Sequence, residues 1–206
     1  MAVNTAAAHA PAQTALLLLD YHNQIVDNMP AETKAQVLSA ARALRDAARS
    51  SGATIVHCLI DVSAEPVETS KLRQRWDEQF KPVIAASPEK LHEHQDVAAS
   101  STSSSDKEFA SVKIPGCVSA LKTERLKAAL AARGIKSLLI CGVITSGAVL
   151  STARDAADLG FVTTVVEDGC WDYNPDAHSA VLKHILPMTA YTTDLKGGLG
   201  LLTGSA

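Results

Sequence analysis

The amino-acid sequence predicts an α/β fold of three layers, α/β/α, around a central, mainly parallel sheet. Three observations predict it. Short apolar runs alternate with helical stretches over most of the chain. The runs are apolar on both faces, as strands are when helices cover a sheet from both sides. The 206 residues suffice for one domain with a full core.

Residues 1–13 are Ala-rich, with neither a basic start nor an apolar centre. They read as a loose tail, not a secretory signal, and the domain is expected over 14–195. ALLLLD at 15–20 is the first strand, a short apolar run ending in an acid. A helix follows over 30–52. Pro30 suits its first turn, Val37, Leu38, Ala41, Leu44 and Ala48 share a face, and Gly52 stops it. ATIVHCLID at 53–61 is the next strand, and the charged KLRQRWDEQF at 71–80 reads as a helix or a lid. SSTSSSDKE at 100–108 is low-complexity and reads as an exposed loop. A strand over 109–112 leads to Lys113. The helix ERLKAALAARG, closed by Gly134, precedes the buried run SLLICGV at 137–143. Helices over 145–160 and 175–186 then alternate with strands over 161–168 and 188–194. Residues 196–206 read as a second loose tail, with Leu199, Leu201 and Leu202 available to dock on a neighbouring subunit.

Composition narrows the function. Lys plus Arg number 19 and Asp plus Glu 22, a net charge of −3, with 4% aromatics. That balance argues against a nucleic-acid partner, which calls for a basic excess and stacking rings. The apolar run at 15–19 is too short to cross a bilayer, so no membrane partner is expected. Cys58, Cys117, Cys141 and Cys170 form no C-x-x-C pair, which suits free thiols in the cytoplasm. The histidines show no zinc spacing, His92-x-His94 being the nearest to one, so no metal is expected. No P-loop, dinucleotide fingerprint or G-x-S-x-G elbow is present, and no cofactor is expected.

In open α/β sheets the active site lies beyond the carboxyl ends of the strands. Three places qualify. Asp20 ends the first strand, where a partly desolvated carboxylate suits acid/base work, or equally a cap or structural salt bridge. Lys113 ends a later strand and can pair with Asp20 or hold a substrate carboxylate. The turn GVITSGAV at 142–149 offers backbone N–H groups at a helix N-terminus, and Gly142 and Gly147 permit close approach.

Together these pieces resemble the isochorismatase-like hydrolase superfamily, also called the cysteine hydrolase family, over roughly residues 15–194. The most specific stretch is RGIKSLLICGVITSGAVLSTARDAADLGFVTTVVEDGCWDYNPDAH. The resemblance assigns Asp20 and Lys113 as catalytic and Ala148 to the nucleophile position, where the family's amidases carry Cys. It places Val143, Ile144, Thr145 and Gly147 at the substrate. It also implies a cis peptide between Val143 and Ile144, aiming the amides of Ile144 and Ala148 at an anion. His22 stands where the family commonly has Gln, and an imidazole there can hold an anion. The loop after Lys113 departs from the family pattern, with Leu121 in an aromatic's place and Cys117 able to enter the cavity.

A methyl group cannot attack a carbonyl, so the covalent amidase route is closed at Ala148. True isochorismatases also carry a small residue there and cleave a vinyl ether through the Asp. The resemblance therefore implies a hydrolase of isochorismate or a related small carboxylate, acting by Asp general-acid catalysis. It also implies a homodimer or homotetramer. The alternatives are an inactive member that binds a small molecule or a partner protein, and an amidase carrying a Cys-to-Ala change.

Overall fold

A computed structural model describes residues 6–99 and 106–204. The first five residues of the expected tail and most of the expected low-complexity loop lie outside these. Six strands form one sheet in the order β3-β2-β1-β4-β5-β6, and every pairing is parallel. They are β1 (Thr14–Leu19), β2 (Thr54–Ile60), β3 (Glu108–Lys113), β4 (Ser137–Val143), β5 (Val162–Trp171) and β6 (Tyr191–Thr193). All residues of β1 and β4 are buried, so both faces of the sheet centre are covered.

The helices are α1 (Asn23–Val26), α2 (Ala31–Ser51), α3 (Leu72–Arg75), α4 (Lys81–Ala86), α5 (Glu124–Ala132), α6 (Leu150–Asp158), α7 (Pro175–Ala180) and α8 (Leu195–Thr203). Helix α2 buries Val37, Leu38, Ala41, Leu44 and Ala48, its predicted stripe, and packs on β1, β2 and β5. Gly52 ends it in the left-handed conformation, φ 77°. Widened π-helical turns cover Trp76–Phe80, Thr145–Val149 and Val181–Ile185.

The C-terminal segment differs from expectation. Residues 195–203 form α8, which packs on α2 and β5, and Leu201 and Leu202 are buried within this chain. The Asp194 carboxylate accepts from the Gly197 N–H at 2.8 Å and caps the helix. The glycines that lower its propensity also let it dock. A Cβ on Gly198 would press on Val166 and Leu44. At the other end Ala6 is buried, and Pro11–Gln13 form a helical turn just before β1.

Strand order reverses at β1. The next strand, β2, lies on one side of it and β4 on the other. That switch point opens a crevice beyond the carboxyl ends of β1 and β4. Gly142 lets the two strands meet closely there, since a Cβ on it would collide with the Leu19 backbone.

Candidate active site

β1 stops at Leu19, and Asp20 turns into the left-handed region with φ 54°, uncommon for a residue with a side chain. Two hydrogen bonds hold the turn. The Asp20 N–H donates to the Cys58 carbonyl at 2.9 Å, and the His22 N–H donates to the Asp20 carbonyl at 2.6 Å. Lys113, the last residue of β3, donates Nζ–H to both Asp20 carboxylate oxygens at 2.6 Å. Both side chains are buried, with relative exposures of 4% for Lys113 and 8% for Asp20. Two charges so far from water stay there only because each neutralises the other.

Both ring nitrogens of His22 meet backbone groups. Its Nδ1 lies 2.6 Å from the Leu91 carbonyl, and its Nε2 lies 3.2 Å from the Ile60 N–H. A carbonyl requires a donor and an amide an acceptor, so the ring is the neutral Nδ1–H tautomer. Burial, the largest influence on it, lowers its affinity for a second proton. Nε2 comes within 3.9 Å of Asp20 Oδ1, and the ring buttresses the Asp20 turn.

The second wall is the turn after β4. The Val143–Ile144 peptide is cis, and the chain then enters the π-helical turn that leads into α6. Asp172, just past β5, accepts the Ser146 N–H at 2.7 Å and the Asn174 N–H at 3.1 Å. One amide of the turn is thus already taken by a carboxylate. Thr145 also departs from expectation. It is fully buried, and its hydroxyl lies 2.8 Å from His178 Nδ1, away from the cavity.

The cavity between these walls measures about 530 Å³. Asp20, Lys113, Val143, Ile144, Gly147 and Ala148 line it. His22 and Thr145 do not. The roof is the segment from α3 through α4, which contributes Leu72, Arg75, Trp76, Gln79 and Phe80. Trp76 and Phe80 stack with centroids 5.6 Å apart. Arg75 sits exposed at the mouth. Its Nε donates to Gln79 Oε1 at 3.2 Å, and the guanidinium lies 5.7 Å from the Phe80 centroid. Among the described residues Arg75 makes no ion pair with a carboxylate.

The charged 71–80 stretch, expected as a helix or a lid, is helical over Leu72–Phe80, but sequence did not single out Arg75 or Tyr173, which also lines the cavity. The RQRW spacing held a usable signal: Arg75 and Gln79 fall on one helical face with Leu72 and Trp76. Cys117 lines the cavity and is partly exposed. The other three thiols are buried elsewhere. Burial pushes the Cys141 thiol up to about 12 and raises those of Cys58 and Cys170 as well.

The arrangement offers a buried carboxylate–ammonium pair, an apolar and aromatic enclosure, an unpaired cation at the mouth and a methyl group at position 148. It is equipped for proton transfer, not for attack by residue 148.

Known proteins share this architecture. The isochorismatase domain family matches residues 14–197. An uncharacterized isochorismatase family protein, YecD, from Escherichia coli O157:H7 is 32% identical over 181 residues. The alignment covers 86% of this chain and 89% of that relative. A cysteine hydrolase from Pseudomonas syringae pv. phaseolicola 1448A superposes with a TM-score of 0.80 at 16% identity, covering 100% of both chains. N-carbamoylsarcosine amidase from Thermoplasma acidophilum superposes with a TM-score of 0.66 at 16% identity, covering 89% of this chain and 96% of that one. At such identities the two structures speak to the fold alone, and the sequence match speaks to descent. The chain belongs to the isochorismatase family.

Proposed function

We propose that the protein hydrolyses the vinyl ether of isochorismate, or of a closely related small cyclic carboxylate, with Asp20 as the proton donor. One observation carries the reading. Asp20, already bound to Lys113, faces the same cavity as the methyl group of Ala148.

At rest the pair is carboxylate and ammonium. Closing the substrate ring over it excludes water and narrows the gap between the ionic pair and the neutral acid–amine pair, because solvation no longer favours charge. The Lys113 proton then passes to Asp20, and Asp20 delivers it to the terminal methylene carbon of the vinyl ether. The cation formed is stabilised by the ether oxygen. Water adds to it and returns one proton to the pair, and the resulting hemiketal collapses to pyruvate and the ring alcohol. No bond to the protein is needed at any step.

Arg75 meets a substrate carboxylate at the mouth, and the amides of Ile144 and Ala148 meet a second polar group inside. Trp76 and Phe80 cover the ring. In this reading the partner is a small molecule, without cofactor, metal, nucleic acid or membrane. The setting is the cytoplasm and the assembly a homodimer or homotetramer.

Incubation with isochorismate, and separately with primary amides and N-carbamoyl amino acids, tests the reading. Pyruvate is expected from the first and no ammonia from the second. Ammonia without pyruvate overturns the reading in favour of an amidase. Absence of both products overturns it in favour of a binding protein.

A further inference from the structure

Four ionisable side chains outside the cavity meet beside β2. His57 Nδ1 lies 2.8 Å from Glu93 Oε1, and its Nε2 lies 3.1 Å from Glu108 Oε1. Arg49 of α2 donates from Nε to Glu108 Oε2 at 2.8 Å and from Nη2 to Oε1 at 2.5 Å. His57, Glu93 and Glu108 are 2%, 8% and 3% exposed. A neutral imidazole has one N–H and one lone pair. With a carboxylate at each nitrogen, a neutral ring would aim its lone pair at an anion. The imidazolium satisfies both carboxylates, as burial demands. Arg49, partly exposed and also 3.5 Å from Asp46, supports Glu108 from the solvent side.

Glu93 is more than a counter-ion. Its backbone bridges antiparallel to His22. The flanking bonds are the His94 N–H to the Tyr21 carbonyl at 2.8 Å and the Asn23 N–H to the His92 carbonyl at 3.0 Å. The Leu91 carbonyl holds His22 itself. Residues 91–94 thus form a strap across the Asp20 turn, and the Glu93–His57 pair anchors it on β2. Two further contacts, from Arg45 Nη1 to the carbonyls of Asp96 and Ala98, fasten the strap's far end to α2.

We propose that His57 is a positioning residue: as an imidazolium it fastens Glu93, and through Glu93 the strap that holds Asp20 and His22 in place. The charged groups facing His57 are Glu93 from the strap and Glu108 from β3, with Arg49 of α2 behind Glu108. β1 presents Leu18 and β3 presents Ala110 at the His57 register, neither of which titrates. Burial opposes the charge on His57, but the bonds and charges of the two carboxylates outweigh it and raise its proton affinity above the ordinary 6.5. The fastening is complete below the unfolded value and is lost as pH rises through the higher folded value. The Asp20 turn should therefore loosen on the alkaline side.

The experiment uses the full chain with ¹⁵N-labelled histidine and backbone amides, followed by NMR across pH. Both His57 nitrogens are expected to carry protons near neutral pH, with a midpoint above 6.5. Exchange at the Asn23 and His94 amides, normalised to amides of β5, is expected to accelerate with that same midpoint. Glu93→Gln is expected to lower the midpoint and to speed exchange at these two amides by about tenfold, leaving β5 protected. His57→Gln is expected to abolish the midpoint. A His57 midpoint at or below 6.5 overturns the proposal, as does unchanged exchange at Asn23 and His94 in Glu93→Gln. Neither readout needs a substrate, so both are independent of the vinyl-ether chemistry.

Discussion

Asp20 and Lys113 show how one contact shapes a site. They are 93 residues apart in sequence, yet both carboxylate oxygens meet the same ammonium. Removing one partner leaves a buried charge uncompensated, which costs about 3–5 kcal/mol. Lys113→Met is therefore expected to lower the urea midpoint strongly. Arg75 belongs to a different class, since it stands exposed with no ionic partner among the described residues. If it binds the substrate carboxylate in ground and transition states alike, Arg75→Leu raises KM by roughly 10- to 100-fold and leaves kcat nearly unchanged. Steady-state kinetics on isochorismate measure that split. Asp20 and Lys113 drew notice at strand ends, and the family resemblance pointed to Ala148; the three line one cavity. His22 and Thr145 do not. Their side chains are claimed by Leu91 and His178, 69 and 33 residues away, and local sequence carries no trace of either partner.

At the scale of elements, β4 and the turn after it set the geometry. SLLICGV is a strand over the expected residues, Ser137–Val143. β5 runs three residues past its expected end at 168, because Gly142 and Val143 pair with Cys170 and Trp171 beyond an irregularity in the register. Pairing of that kind depends on the neighbour, so periodicity along β5 alone could not show it. The extension places Asp172 where it caps the Ser146 amide. Gly142 is the tight point. Gly142→Ala forces a methyl against the Leu19 backbone and is expected to destabilise by about 1–3 kcal/mol, read as a fall in thermal midpoint. The roof is readable from its pattern. One face carries Leu72, Trp76 and Phe80, and the other carries Arg73, Asp77 and Lys81, tied to each other and to Glu65.

For the whole molecule, the fold class followed from alternation and burial, and the parallel six-stranded sheet has the predicted character. The C-terminal segment did not follow. Four glycines in the last eleven residues read as looseness because glycine is a poor helix former. Tertiary packing decides otherwise, burying Leu201 and Leu202. Leu202→Ala is expected to cost about 2–5 kcal/mol, lowering the thermal midpoint by roughly 2–4 °C for each kcal/mol. A loose tail would leave the midpoint unchanged. Among the described residues no helix is long and apolar enough to cross a membrane. With a net charge of −3, the overall field of the protein does not attract anions.

The central claim is that Asp20 supplies the proton and that the chemistry proceeds without a thiol at position 148. Pyruvate release from isochorismate by the protein and by Asp20→Asn tests it most directly. An amide keeps the shape of the carboxylate but cannot pass a proton on, so the variant, less stable because Lys113 loses its counter-charge, is expected to lose about 10²–10⁴-fold in kcat per folded molecule. Equal release from both proteins would contradict the account.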